Sequence, residues 1–199
     1  ARVLKEKGEL DVAIDMYKEF IKQNEQNIEL YLAISDCYFL IGEDKEAEKY
    51  LKKAEKVAPN DYNIKVTLYT LYEQSNQKNK KEKLLKKLLS ELKANNSDVL
   101  ALGNEFMTRR HWAEAKMVFL KGRELIYDKT AYTWQLSNIF MQEGDYSNIA
   151  KEYFTQLEIN PKALKQIQTN LSGLFANNQD ITPIIEKEWV IYWKKNKNN

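Results

Sequence analysis

The chain of 199 residues has one cysteine, one histidine, three prolines and six glycines. A single thiol, Cys37, excludes an internal disulfide and any cysteine cluster for a metal. It falls among small apolar neighbours and reads as a buried core thiol. His111 has no second histidine or cysteine near it in sequence, so no metal site is expected. A general base would also need an orienting partner that the sequence does not supply. The scarcity of proline and glycine leaves little room for strands or linkers. No apolar run reaches about 18 residues, which excludes a transmembrane helix from the residues present, and no signal peptide is visible. The formal net charge of +2 gives no reason to expect nucleic acid or an anionic membrane. There is no glycine-rich phosphate loop and no Ser/His/Asp constellation. The residues therefore predict no enzyme and no cofactor.

What is abundant is hydrophobicity at helical spacing. Of the residues 43% are hydrophobic and 30% charged, enough for a core with much wet helix surface. In the stretch 27–61, Leu30, Ile34 and Tyr38 recur on one helix face, with Tyr31 beside them. Gly42 supplies a helix stop. Ala47, Leu51 and Ala54 line a second helix, whose Lys49, Lys52, Lys53 and Lys56 face water. Pro59 ends it. A helix pair this short cannot cover its own apolar face, so a repeat is expected.

The repeat exists, with a period of about 34 residues. Gly8, Gly42 and Gly144 share one column; Ala13, Ala47 and Ala115 share another. Tyr17, Leu51, Leu85, Phe119 and Tyr153 form a third. Ile34, Leu68, Leu102 and Leu136 form a fourth, and Tyr38, Tyr72, Phe106 and Phe140 a fifth. Pro59 and Pro161 recur as stops. The columns hold one chemical class each: small where helices touch, large where they interlock.

This pattern resembles the tetratricopeptide repeat family. Tyr31, Ile34-Ser35, Tyr38, Gly42, Ala47, Leu51, Ala54 and Pro59 stand at the family's offsets. So do Leu102-Gly103, Phe106, Ala115, Phe119 and Gly122, and further on Leu136-Ser137, Phe140, Gly144, Tyr153 and Pro161. The resemblance implies an all-α fold, an α-solenoid of antiparallel helix pairs stacked as a right-handed superhelix, with ten or eleven helices in this chain. A partial repeat at 1–26 precedes repeats at 28–61, 62–95, 96–129 and 130–163, and a degenerate helix pair occupies 164–199.

Along the chain, Ala1–Lys7 reads as the second half of a helix. Glu9–Gln23 follows, with Ala13, Tyr17, Phe20 and Ile21 turned inward. The start in mid-repeat suggests that residues precede Ala1. The repeat 62–95 is the weakest: Asn76 replaces the turn glycine and Lys81 replaces alanine. A looser entry is expected for its second helix, residues 80–93. Its lysines between Lys78 and Lys87 read as a solvated face. Trp112 packs at a turn. Arg109 and Arg110, beside it, suit either an acidic peptide or plain exposure. After a turn at Asn177-Asn178-Gln179, Thr182 caps a helix that begins at Pro183 and runs to Lys195.

In arrays of this family the first helix of each repeat lines a concave groove. By that analogy the groove columns are Leu32, Val66, Leu100 and Trp134; Asp36, Thr70, Asn104 and Asn138; Phe39, Glu73, Met107 and Met141; and Leu40, Gln74, Thr108 and Gln142. The resemblance thus implies a protein or peptide partner. The candidate contacts are Leu100, Asn104, Met107, Trp134, Asn138 and Met141, with the alternative that some pack on neighbouring helices. Met and Trp suit an adaptable peptide surface, and paired amides suit a peptide main chain. One branch of the family grips a C-terminal carboxylate with Lys, Asn and Arg. Here Leu32, Val66, Ala33 and Thr67 occupy those columns, so that clamp is absent. The alternative function is RNA binding by helical repeats, which needs a basic groove.

The last helix is apolar nearly all round. Ile185, Trp189 and Trp193 follow one stripe, with Tyr192 beside it and Ile184, Val190 and Ile191 on the other sides. Such a helix is normally covered on more than one side, so 1–199 is expected to belong to a longer array or to self-associate through Trp189 and Trp193. Frequent Lys, Asn and Tyr suggest a bacterial protein of the cell envelope, periplasm or cytoplasm.

Overall fold

The computed structural model describes residues 1–177 and 181–196. Among them are twelve α-helices and no strand, so the fold is all-α, with one or two helices more than the sequence led us to count. The helices are α1 (Arg2–Glu6), α2 (Leu10–Gln23), α3 (Ile28–Leu40), α4 (Asp44–Val57), α5 (Tyr62–Gln74), α6 (Lys78–Ser90), α7 (Asn96–Thr108), α8 (Trp112–Ile126), α9 (Thr133–Glu143), α10 (Tyr146–Ile159), α11 (Leu164–Asn177) and α12 (Thr182–Asn196). A 3-10 turn, Pro161–Ala163, joins α10 to α11. Helix α12 starts at Thr182, so Thr182 is its first residue rather than its cap. The expected turn at 177–179 lies outside the described residues from Asn178 on. The chain divides into two compact units, Ala1–Glu91 and Leu92–Asn199.

The period is visible in the backbone. Gly8, Gly42, Asn76, Arg110 and Gly144 all have positive φ, between 56° and 81°. The left-handed turn thus recurs in every repeat, although Asn and Arg carry a steric cost there that Gly does not. The first helices have their own periodic signal. Asn27, Asp61 and Asn95 cap α3, α5 and α7, each accepting a hydrogen bond from a backbone N–H of the first turn. Such caps stabilise by about 1 kcal/mol each. Lys129 stands at the next position of that column and cannot accept. The chain instead folds into a turn in which Asp128 accepts from Thr130, 2.8 Å from both its backbone N and its hydroxyl. Helix α9 consequently begins late, at Thr133, after Tyr132 in the left-handed region.

In the first unit, Ala13, Ile34, Cys37, Ala47 and Ala54 are fully buried. The small columns let α2, α3 and α4 close on one another, and the Ser35 hydroxyl donates to the Ala47 carbonyl at 3.0 Å. Ile14 turns inward where Phe20 was expected to; Phe20 is 38% exposed, because the buried stripe of α2 runs through Ala13, Ile14 and Tyr17. Helix α6 is the loose member. Of its residues only Leu88 is buried, against five in α4. Two bulky residues explain this. Tyr69 fills the column that holds Ser35 and Gly103 elsewhere, and Lys81 replaces the buried alanine. Lys81 is accommodated by an ion pair to Glu73 at 3.0 Å and by the Tyr69 ring, 5.5 Å from its ammonium. Helix α6 also ends at Ser90, three residues short of the stretch read as helical.

In the second unit, Leu102, Phe106, Ala115, Val118, Phe119, Leu136, Ile139 and Ala150 are buried. Gly103 is what allows α7 and α8 to meet: a Cβ there would lie 2.4–2.9 Å from the Phe119 ring. A second core joins α10 to α12 through Ala150, Phe154, Ile181 and Ile185.

Candidate partner-binding surfaces

Helices α7 and α9 carry the six residues that the sequence singled out. On α7 the buried residues are Val99, Leu102, Gly103 and Phe106. Leu100, Asn104 and Met107 lie together on a neighbouring face, since residues spaced by four and three share a side of a helix. Asn104 is exposed; Leu100 and Met107 are half-buried. On α9 the buried residues are Thr133, Leu136, Ser137, Ile139 and Phe140. Trp134, Asn138 and Met141 form the opposite stripe. Trp134 is 65% exposed, Met141 43%, and Asn138 is half-buried. The late start of α9 explains Trp134: it sits in the first turn, with no preceding helical turn to cover it. Among the described residues no hydrogen bond or ring contact joins one trio to the other, and neither amide side chain, Asn104 or Asn138, has a hydrogen-bond partner.

The two helices are fixed by contacts through α8. The Phe119 ring lies 5.4 Å from that of Tyr132, and the Tyr132 hydroxyl donates to Asn96 at 2.8 Å. Arg123 is the polar fastener. Its guanidinium donates to the Ala131 carbonyl at 2.6 Å, to the Thr133 hydroxyl at 3.2 Å and, as a two-point ion pair, to Glu152 of α10. At the other end of α9, Lys116 pairs with Glu143 at 2.7 Å. Arg109, just past the end of α7, pairs with Glu105 of α7, whereas Arg110 is exposed in the turn. His111 is half-buried against Phe106, with ring centres 6.1 Å apart, and Trp112 is half-buried.

The family model described as tetratricopeptide repeat matches residues 4–65. Over that span the chain matches the tetratricopeptide repeat family. No curated protein matches it. Among solved structures, residues 41 to the end of MamA from Desulfovibrio magneticus RS-1 align at 14% identity, covering 81% of this chain and 91% of that one, with a TM-score of 0.41. YrrB, described as a TPR protein with an unusual peptide-binding site, aligns at 14% identity over 85% of this chain and 87% of its own, with a TM-score of 0.39. A thermophilic TPR protein of Thermus thermophilus aligns at 18% identity over 85% and 92%, also with a TM-score of 0.39.

The tetratricopeptide columns are not equally accessible. Val66 is fully buried and packs in the core, which removes it from any groove. Leu32 is half-buried against two core clusters. Asp36 pairs with Lys5, Glu73 with Lys81, and the Thr70 hydroxyl bonds back to the Val66 carbonyl at 3.0 Å. Charge pairing and burial thus occupy most of these columns in the first unit, while the second leaves its Trp, Met and amide groups available.

Three features escaped the sequence. In the first unit Glu48, on the lysine-rich helix α4, is buried and accepts from Tyr72 at 2.8 Å, Lys80 at 2.7 Å and Lys52 at 2.6 Å. Burial by itself raises a carboxyl pKa, but these hydrogen bonds outweigh it and hold Glu48 at about 2. Burial, then the bond to Glu48, pushes the Tyr72 phenol up. This knot ties α4 to α5 and α6. The second feature is a cleft of about 940 Å³ beside α2 and α4. Four of its charged residues pair along α2, Lys18 with Asp15 and Lys22 with Glu19. The third is an open apolar groove of about 460 Å³ lined by α10, α11 and α12. Each brings together residues of different helices that lie far apart in sequence, such as Glu48 with Tyr72 and Lys80, Asp15 with Lys53 along the cleft and Phe154 with Trp189 along the groove. Among the described residues no group of three or more His, Cys, Asp or Glu is placed to hold a metal ion, and no helix is long and apolar enough to cross a membrane.

Proposed function

We propose that this protein is a non-catalytic interaction scaffold whose α7 and α9 bind an extended or helical segment of a partner protein. Tetratricopeptide repeats support the general reading, because stacked helix pairs offer long surfaces suited to peptides. The observation that carries the finer one is the side-chain set of the second unit. Among the described residues, Trp134 and Met141 are exposed on α9 without ring or charge partners, and Asn104 and Asn138 keep unpaired amides on α7 and α9. Aromatic and Met side chains supply adaptable apolar contact. An amide offers a donor and an acceptor to a peptide main chain. Leu100 and Met107 complete the apolar surface.

The test compares partners captured by the wild-type chain and by Trp134→Ala/Asn138→Ala, followed by titration of the purified partner. The double variant is expected to lose the specific partner and to weaken its binding at least tenfold, a cost of about 1.4 kcal/mol. An unchanged partner list and affinity removes this surface from consideration. Binding of generic RNA that falls steeply with salt would favour the helical-repeat RNA reading instead.

A further inference from the structure

The small net charge of the whole chain hides an uneven distribution. In the first unit, α4 and α6 together hold eleven lysines against five carboxylates, whereas its other residues hold six basic groups against twelve acidic ones. The excess is laid out in stripes. Lys45, Lys49, Lys52 and Lys56 fall within about 60° of one another at 100° per residue. They lie on the side of α4 opposite its buried Ala47, Leu51 and Ala54, and all four are exposed. On α6, Lys80, Lys83 and Lys87 form a second stripe of the same width, also exposed.

Glu48 joins the stripes. Its two carboxylate oxygens take Lys52 at 2.6 Å and Lys80 at 2.7 Å. One acid thus holds an ammonium group from each helix and leaves a surplus positive charge at the joint. Lys83 and Lys87 lie on the same side of α6 as Lys80, so they flank that joint. Lys49 pairs with Glu46 at 2.9 Å, and Lys78 reaches Glu82 only at 4.0 Å. Among the described residues Lys45, Lys56, Lys83, Lys86 and Lys87 have no ion-pair partner. Like charges collected on two joined helices repel, and an anion that bridges them removes the repulsion.

We infer that this lysine face takes an acidic segment of a partner protein, with Asp or Glu side chains at alternate positions. The face lies in the first unit and stands independently of the α7 and α9 surface. Charge complementarity calls for an anion, and the chemistry of the face selects which kind. Among the described residues no large apolar side chain between Ile41 and Met117 is exposed, so nothing here can enter a bilayer or stack on unpaired bases. Neither α4 nor α6 holds an arginine, which removes the fork that grips a phosphate at two points. The spacing fits a peptide. Steps of three and four residues set successive lysines about 4.5 and 6 Å apart along a helix. Alternate side chains of an extended peptide recur about 6.6 Å apart on one side. The α4 stripe is about 16 Å long, the reach of about five extended residues. Exposed pairs each contribute little, so the association is weak, with a dissociation constant on the order of 100 µM.

Fluorescence anisotropy of a labelled peptide of alternating Glu and Ser, about ten residues long, titrated with the 199-residue chain, measures this. Binding is expected at about 20 mM salt and should weaken about tenfold by about 200 mM, where charges are screened within about 10 Å. Lys83→Glu/Lys87→Glu is expected to weaken binding at least tenfold. Lys7→Glu/Lys165→Glu changes the net charge equally at exposed positions away from this face and should leave binding within about twofold of wild type. Among the described residues none of these four lysines has an ion pair, so an unchanged circular dichroism spectrum and urea midpoint confirm that each variant is folded. Duplex DNA and vesicles of phosphatidylcholine with phosphatidylserine are expected to bind more weakly than the peptide at the same salt. Absence of peptide binding overturns the inference. So does an equal loss in the two double variants, or tighter binding to the DNA or the vesicles than to the peptide.

Discussion

Glu48→Gln isolates one buried charge whose effect on stability has a definite sign. The carboxyl falls from its ordinary value of 4.5 to about 2 in the folded chain. The unfolded chain therefore takes up the proton first as pH is lowered. The stabilisation is fully present above about pH 4.5 and drains away toward pH 2. At about 1.4 kcal/mol per pH unit, the shift corresponds to about 3 kcal/mol at neutral pH, of which about 2 kcal/mol is gone at about pH 3. Glutamine keeps the shape and still accepts from Tyr72, but it offers no charge to Lys52 or Lys80. We expect Glu48→Gln to cost about 2–3 kcal/mol at about pH 7 and about 1 kcal/mol or less at about pH 3. Urea unfolding of both chains at the two pH values measures this. Far-UV circular dichroism is the suitable signal, because Trp112, Trp134, Trp189 and Trp193 all lie outside the unit that holds Glu48. Every other acidic group titrates equally in the two chains and cancels in the difference. An equal cost at both pH values would refute the reasoning, since it would mean that Glu48 stabilises by shape alone.

Ala47→Leu and Ala115→Leu replace fully buried alanines and should each destabilise by about 1–3 kcal/mol through overpacking, whereas Lys81→Leu should cost much less; equal urea midpoints for all three would contradict the assigned columns. Gly103→Ala drives a methyl to within 2.4 Å of the Phe119 ring and is expected to cost more than about 2 kcal/mol, with Phe119→Leu in the same chain recovering part of the loss. Arg110→Gly relieves a left-handed residue at φ 60° in an exposed turn and should raise stability by up to about 1 kcal/mol, while Gly42→Ala at φ 81° should lower it by a similar amount.

Periodicity determined the fold class, the helix pairs and their register. A solenoid repeats one local problem, so each repeat states the same solution in its own residues. Ala13, Ala47 and Ala115 are fully buried because every helix pair needs a small contact point. Ile34, Leu68, Leu102 and Leu136 are buried because each first helix turns the same side inward. The weak second repeat was legible too, since Lys81 and Asn76 break columns that a reader can count. The candidate site was legible only as columns. Which column positions stay open depends on neighbours that no spacing reveals: Val66 and Trp134 share a column, yet one is buried and the other exposed, because α9 starts late after the Asp128 turn. Phe20 and Ile185 changed sides for a related reason, as the packing partner and not the residue's own hydrophobicity selects which flank of an apolar stripe is covered. The Glu48 knot, the Arg123 fastener and the lock of Glu188 onto α10 belonged wholly to tertiary structure. They include polar contacts such as Tyr72–Glu48, Arg123–Glu152 and Ser147–Glu188, which are 24, 29 and 41 residues apart in sequence, and such a contact is set by where two side chains meet in space.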